Sequence, residues 1–184
     1  MTPDSYALHC NRIDHDTVAR RRERGQPVVL TSVQQPDARS WSRQAKVRSR
    51  LHYYLADQEA NSVASESTGV LRDADGTWTE SSIANLAITH GDTLVFPPRE
   101  QVLHGVTQAA VREIAKELGI ESIEQRIRTY DIAKADEFLL MGTDVGLWFA
   151  SEVRSLEHSL DRSFGIPGVD SISRRLQARM PQSR

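Results

Sequence analysis

Between residues 69 and 96 the chain carries two tight-turn signals, each set between short runs of β-forming residues. Ala74-Asp75-Gly76 separates Gly69-Val70-Leu71-Arg72-Asp73 from Thr77-Trp78-Thr79. His90-Gly91-Asp92 separates Leu86-Ala87-Ile88-Thr89 from Thr93-Leu94-Val95-Phe96, and Pro97-Pro98 ends the second run. Such turns favour left-handed backbone and join antiparallel strands directly, so both stretches read as hairpins. Consecutive hairpins do not fit a regular alternation of single parallel strands and helices. The expected fold class is therefore α/β (α+β), with a mixed, mostly antiparallel sheet and flanking helices.

The rest of the chain supplies those helices and further strands. His15 to Arg24 is polar and helical in pattern, Gly25-Gln26-Pro27 breaks it, and Val28 to Val33 is a β-branched strand. Tyr6 to Cys10 could be extended, and Gln34 to Arg43 reads as a linker. Leu51, Tyr54, Leu55 and Ala60 recur at helical spacing. Thr107 to Leu118 is amphipathic, with Val111, Ile114, Ala115 and Leu118 on one face and Gly119 as its C-cap. A strand is expected over Glu124 to Arg128, a short helix over Tyr130 to Ala135 and a buried strand over Phe138 to Met141. A loop at Gly165 to Gly168 leads to a last helix within Ser171 to Met180.

Composition narrows the function classes. At 184 residues the chain can bury a real core. Its net charge of −2 offers no electrostatic reason to bind nucleic acid or an anionic membrane. The Arg20-Arg21-Arg22-Glu23-Arg24 run lacks interleaved aromatics and reads as a solvated helix face. No apolar run approaches the ~20 residues of a membrane span. The single cysteine, Cys10, and an opening stretch without signal-peptide features fit a cytoplasmic, reducing setting. Lysine is scarce: Lys46, Lys116 and Lys134 are the short list for chemistry that needs an amine.

Four clusters have the residue types of a reactive site. Lys46 precedes the helix that starts near Leu51, with Arg48 and Arg50 close in sequence. A neighbouring cation favours the neutral, nucleophilic amine, although a lysine in such a place is commonly just exposed. Glu80 follows the Asp75-Gly76 turn inside Thr79-Glu80-Ser81-Ser82-Ile83-Ala84-Asn85; alone it could be an ordinary strand carboxylate. Gly105-Val106-Thr107 opens a helix, where backbone N–H groups and the dipole favour a phosphate. A plain helix cap would also explain Thr107. Gly142-Thr143-Asp144 follows the buried strand.

In this order and spacing, the four clusters resemble the class IV (fold-type IV) pyridoxal-phosphate-dependent aminotransferases. That family includes branched-chain and D-amino-acid aminotransferases and aminodeoxychorismate lyase. The resemblance implies the large, cofactor-binding domain of the D-amino-acid-aminotransferase-like fold, whose sheet forms a pseudo-barrel. It implies pyridoxal 5'-phosphate as cofactor, with Lys46 as the Schiff-base lysine and proton carrier. Glu80 would face the pyridine nitrogen, while Val106, Thr107, Thr143 and Asp144 would line the phosphate site. The implied reaction is amino transfer between an amino acid and a 2-oxo acid in a homodimer. The alternatives are an aminodeoxychorismate-lyase-like enzyme and a truncated, inactive class IV domain.

On this basis residues 1–35 are expected to be a remnant of the small N-terminal domain, 36–45 a linker and 46–184 the cofactor-binding domain. The chain departs from the family pattern at several places. Gln108 stands where an arginine is usual, and Asp144 puts a carboxylate beside the phosphate turn. Trp148-Phe149 replaces a Thr-Pro pair expected near the pocket. The tyrosine that some members place near the cofactor hydroxyl is Arg50 or Leu51 here.

Overall fold

The structure, a computed structural model, describes residues 10, 12–40, 42–155 and 157–180. The strand expected over Tyr6 to Cys10 therefore lies, apart from Cys10, outside the described residues. The chain begins with α1 (His15–Arg24), capped by the Asp14 carboxylate, which accepts from the Asp16 and Thr17 N–H groups. Gly25, at φ 78°, then turns it into β1 (Gln26–Gln34). After α2 (Leu51–Val63) come β2 (Thr68–Arg72), β3 (Trp78–Ser81), β4 (Asn85–His90) and β5 (Thr93–Phe96). A short 3₁₀ turn at Arg99–Gln101 leads into α3 (Val106–Glu117) and β6 (Glu121–Glu124). Next are α4 (Thr129–Lys134), β7 (Glu137–Gly142), β8 (Gly146–Ser155), β9 (Leu160–Ser163) and α5 (Ile172–Gln177).

Both expected hairpins form, and they close a ring. The sheet runs β3-β2-β1-β8-β7-β4, and β4 pairs back with β3. β5 and β6 extend the sheet from β4, and β9 pairs with β8. The pairs β1–β2, β1–β8 and β5–β6 are parallel and the others antiparallel. This is the barrel-like, mostly antiparallel sheet that the resemblance implied.

Side chains alternate between two cores along the strands. Leu86, Ile88, Phe138, Leu140, Trp148 and Ala150 pack in one cluster. Their neighbours Ala87, Leu139, Met141, Leu147 and Phe149 pack in a second, against Val111 and Ala115 of α3 and Ile172 and Leu176 of α5. Because β4, β7 and β8 are covered on both faces, each is a nearly continuous apolar run.

Two local expectations are corrected, at Glu124 to Arg128 and at Trp148-Phe149, and the helix expected near Leu51 forms but packs by its alanines. The strand expected over Glu124 to Arg128 is β6, ending at Glu124, and Ile127 only bridges to Trp78. β6 follows β5 in parallel register from Thr93↔Glu121 to Phe96↔Glu124, so pairing sets its limits. Leu51, Tyr54 and Leu55 do not form the packed face of α2: they are 65%, 60% and 47% exposed. Ala56 and Ala60 face the sheet instead, because α2 lies so close that a Cβ on Gly69 would sit 2.4 Å from the Ala56 carbonyl oxygen. Trp148-Phe149 forms the middle of β8 inside the two cores, and Trp148 Nε1 donates to Gln26 Oε1 at 3.1 Å. Among the described residues no helix is long and apolar enough to cross a membrane.

Candidate active site

Four chain segments meet at one end of the ring: the stretch before α2, the β3–β4 turn, the loop entering α3 and the β7–β8 turn. Glu80 and Asn85 are cross-strand partners around the turn Ser82–Ala84. The turn is closed by the Ser81 N–H donating to the Ala84 carbonyl at 2.8 Å. Two glycines let the other segments come this close. A Cβ at Gly105 would lie 2.0 Å from Asn85 Oδ1, and one at Gly142 would lie 2.3 Å from the Ile83 carbonyl oxygen.

Glu80 is 5% exposed, and donors surround its carboxyl group. Tyr53 Oη donates to Oε1 at 2.7 Å, and Gln35 Nε2 reaches the same oxygen at a weak 3.4 Å. Asn85 Nδ2 and the Leu103 N–H donate to Oε2 at 3.0 and 2.9 Å. Asn85 Nδ2 also donates to the Leu103 carbonyl at 2.9 Å, tying Glu80 to the loop that enters α3. Burial pushes the Glu80 carboxyl above its ordinary value, against the pull of Tyr53, the Leu103 N–H and the charge of Arg43. Burial and the adjacent Glu80 likewise push the Tyr53 phenol up.

α3 starts at Val106 with Gly105 at its N-cap, and no side chain caps it. Thr107 therefore does not cap the helix; it sits half-buried in the first turn. The first-turn N–H groups have no partner within the helix and offer a place for an anion. Lys46, Glu80, Val106, Thr107, Thr143 and Asp144 all line one cavity of about 280 Å³, together with Arg50, Tyr53 and Asn85. Lys46, Thr143 and Asp144 are exposed at its rim. Arg50 donates to the Ser82 carbonyl, and its guanidinium lies 4.8 Å from the centroid of the Tyr53 ring. Gln108 is buried under the start of α3 and is not among the residues lining the cavity.

The arrangement is a buried carboxyl group, an amine, the uncapped start of α3 and a second small-residue turn around one cavity. A phosphorylated pyridine aldehyde fits these donors. Residues that sequence reasoning did not single out are Tyr53, Gln35 and the Leu103 N–H, which together with Asn85 hold Glu80. Tyr53 could have been found on α2, since it stands three residues before Ala56 on the packed face.

Comparison with known proteins places the fold. A sheet closed in this way, with this cavity at its end, is that of fold-type IV proteins. The family profile described as Amino-transferase class IV matches residues 5–153, and the chain belongs to that family. A relative from Methanocaldococcus jannaschii, named as a branched-chain-amino-acid aminotransferase, is 35% identical over 94 residues. That match covers 50% of this chain and 32% of the relative. The branched-chain amino acid aminotransferase of Escherichia coli superposes with a TM-score of 0.75 at 25% identity, covering 86% of this chain and 51% of that one. The branched-chain amino acid aminotransferase of Thermoproteus uzoniensis, solved with norvaline, gives 0.72 at 21% identity over 85% and 50% of the two chains. A further branched-chain amino acid aminotransferase, solved with pyridoxamine 5'-phosphate, also gives 0.72, at 23% identity over 83% and 49%. The chain thus spans about half the length of the solved structures it resembles.

Proposed function

We propose that this chain holds pyridoxal 5'-phosphate at the cavity and serves amino transfer between an amino acid and a 2-oxo acid. The observation that carries the reading is that one cavity gathers Lys46, Glu80, the uncapped start of α3 and the Gly142–Asp144 turn. The α3 N–H groups, with the Thr107 and Thr143 hydroxyls, would hold the phosphate; Val106 and Asp144 line the same end. Glu80, fixed by its donors, would hold a proton at the ring nitrogen. The Lys46 amine would hold the cofactor covalently and, once released by substrate, carry a proton to and from the substrate α-carbon. Bound there, the cofactor supplies an electron sink for the bond broken at that carbon.

The relatives' names support branched-chain amino acids as the first donors to try. The resemblance supports a homodimer, and the exposed Leu51, Tyr54 and Leu55 of α2 would offer an apolar face to the second copy. A cytoplasmic setting accords with a lone cysteine, Cys10, that is exposed and free.

The test is borohydride reduction of the purified chain with pyridoxal phosphate, followed by peptide mapping and by sedimentation equilibrium. The expected result is a covalent label on Lys46, no label in Lys46→Ala, and a mass of two chains. A label distributed over Lys116 and Lys134, or none in the wild type, would overturn the assignment. Mixing the loaded protein with leucine and a 2-oxo acid then checks for the transferred amine.

A further inference from the structure

The main cavity has a side chamber of about 40 Å³ that the roles assigned above leave unused. The two share Lys46, Arg50, Tyr53, Glu80 and Leu103, then diverge: one leads to Gly105–Thr107 and Gly142–Asp144, the other to Gln35 and Arg43. About 10–15 Å³ of such space holds one water, so the chamber takes a small polar group and not a substrate side chain.

Two of the residues that line it carry buried, unsatisfied polar atoms. The Arg43 side chain is 6% exposed; its Nη2 pairs with Asp73 Oδ1 at 2.9 Å, while Nε and Nη1 are buried without a partner. Gln35, 3% exposed, has an unpartnered Oε1. Buried guanidinium donors left open are costly unless something completes them. What would complete Arg43 is an oxygen carrying negative charge.

The chemistry of the proposed cofactor says which oxygen. On its pyridine ring, the carbon that Lys46 would hold lies opposite the nitrogen. The phosphate arm and the phenolic oxygen flank that carbon on opposite edges. With the nitrogen at Glu80 and the phosphate toward α3, the phenolic oxygen would fall away from α3, on the side where Arg43 lines the chamber. We propose that Arg43 is the partner of the cofactor's phenolic oxygen. This rests on the cofactor reading above. It gives the chain a donor to that oxygen in place of the tyrosine hydroxyl that neither Arg50 nor Leu51 supplies.

The groups facing Arg43 are Asp37, Asp73, Glu80, His52, Tyr53, Arg50 and Lys46. Among these, burial and the charges of Arg50 and Arg43 push the His52 imidazole down. A cation beside the phenolic oxygen stabilises the site after it loses a proton. The visible band of the loaded wild type should therefore titrate at lower pH than that of Arg43→Met, by about 1 pH unit. An Arg43→Met/Asp73→Asn double variant removes the carboxylate stranded by the single change, and carries the test should Arg43→Met fail to fold.

The measurements are absorbance against pH and dissociation constants for pyridoxal phosphate and its 3-deoxy analogue. Wild type should bind the analogue about tenfold more weakly than the cofactor, and the variants should bind both alike. A merely structural Arg43–Asp73 pair would weaken both ligands equally. Equal titration midpoints and equal analogue penalties, with Lys46 still labelled by borohydride, overturn the Arg43 assignment and leave the cofactor reading standing. Absence of the Lys46 label in the wild type overturns both.

Discussion

Tyr53 and Glu80 meet at 2.7 Å in a site where the carboxyl group is almost sealed from water. Tyr53→Phe would leave Oε1 with only the 3.4 Å contact to Gln35. A hydrogen bond to a charged group is worth about 1.5–3 kcal/mol, and a loss of that order in urea unfolding is expected. The pH dependence has a definite sign. Glu80 keeps its proton to higher pH in the folded chain than at the ordinary 4.5. The native state then binds more protons than the unfolded one, so stability falls as pH rises from about 4.5 through the folded value and then levels. Glu80→Gln should remove that decline, which unfolding midpoints measured across the range would show; a decline unchanged in the variant would place its source elsewhere. As candidate site residues that line one cavity, Lys46 and Glu80 are legible in the sequence because their types and their spacing along the chain resemble a known pattern. Tyr53, Gln35 and Arg43 are not: Gln35 and Glu80 stand 45 residues apart and meet only when the ring closes.

At the scale of elements, α3 and the β3–β4 turn depend on one another through a point of contact with no spare room. Gly105→Ala would drive a Cβ into Asn85 Oδ1, displacing the amide that holds both Glu80 and the Leu103 carbonyl. Overpacking of this kind costs about 1–3 kcal/mol. The expected outcome is a lower thermal midpoint together with weaker pyridoxal phosphate binding, measured by equilibrium dialysis. Unchanged binding would show that the amide does not set the carboxyl group's position. Helix α3 and the two hairpins are readable from period and turn chemistry, since both are local signals. The packed face of α2 is not, because large apolar residues usually mark the buried side. Here the short α2–β2 distance at Gly69 admits only alanines. β8 has no clear signal of its own: Gly142 to Gly146 reads as a turn motif, and Trp148-Phe149 as a substitution near the pocket.

For the whole molecule, closure of the sheet is what assembles the site. β1 lies between β2 and β8 with parallel register to both, so residues 26–34 are structural partners of strands that follow residue 46. A chain starting at residue 46 would leave β2 and β8 with open edges and expose Val70 and Val153, which pack with Val28 and Leu30. Such a chain should show no cooperative thermal transition by circular dichroism, whereas the full chain should; cooperative unfolding without β1 would mean the ring is dispensable. Local units are written in the residues themselves: hairpin turns, an amphipathic helix, a scarce lysine and two small-residue turns in order. These follow from backbone preferences and from periods of two and 3.6 residues, which need no distant partner. Only in the folded chain does β1 complete the ring, do Tyr53 and Asn85 fix Glu80, and does Arg43 line a chamber while two of its buried donors lack partners. Those facts depend on which segments become neighbours, and long-range strand pairing settles that where no local pattern can.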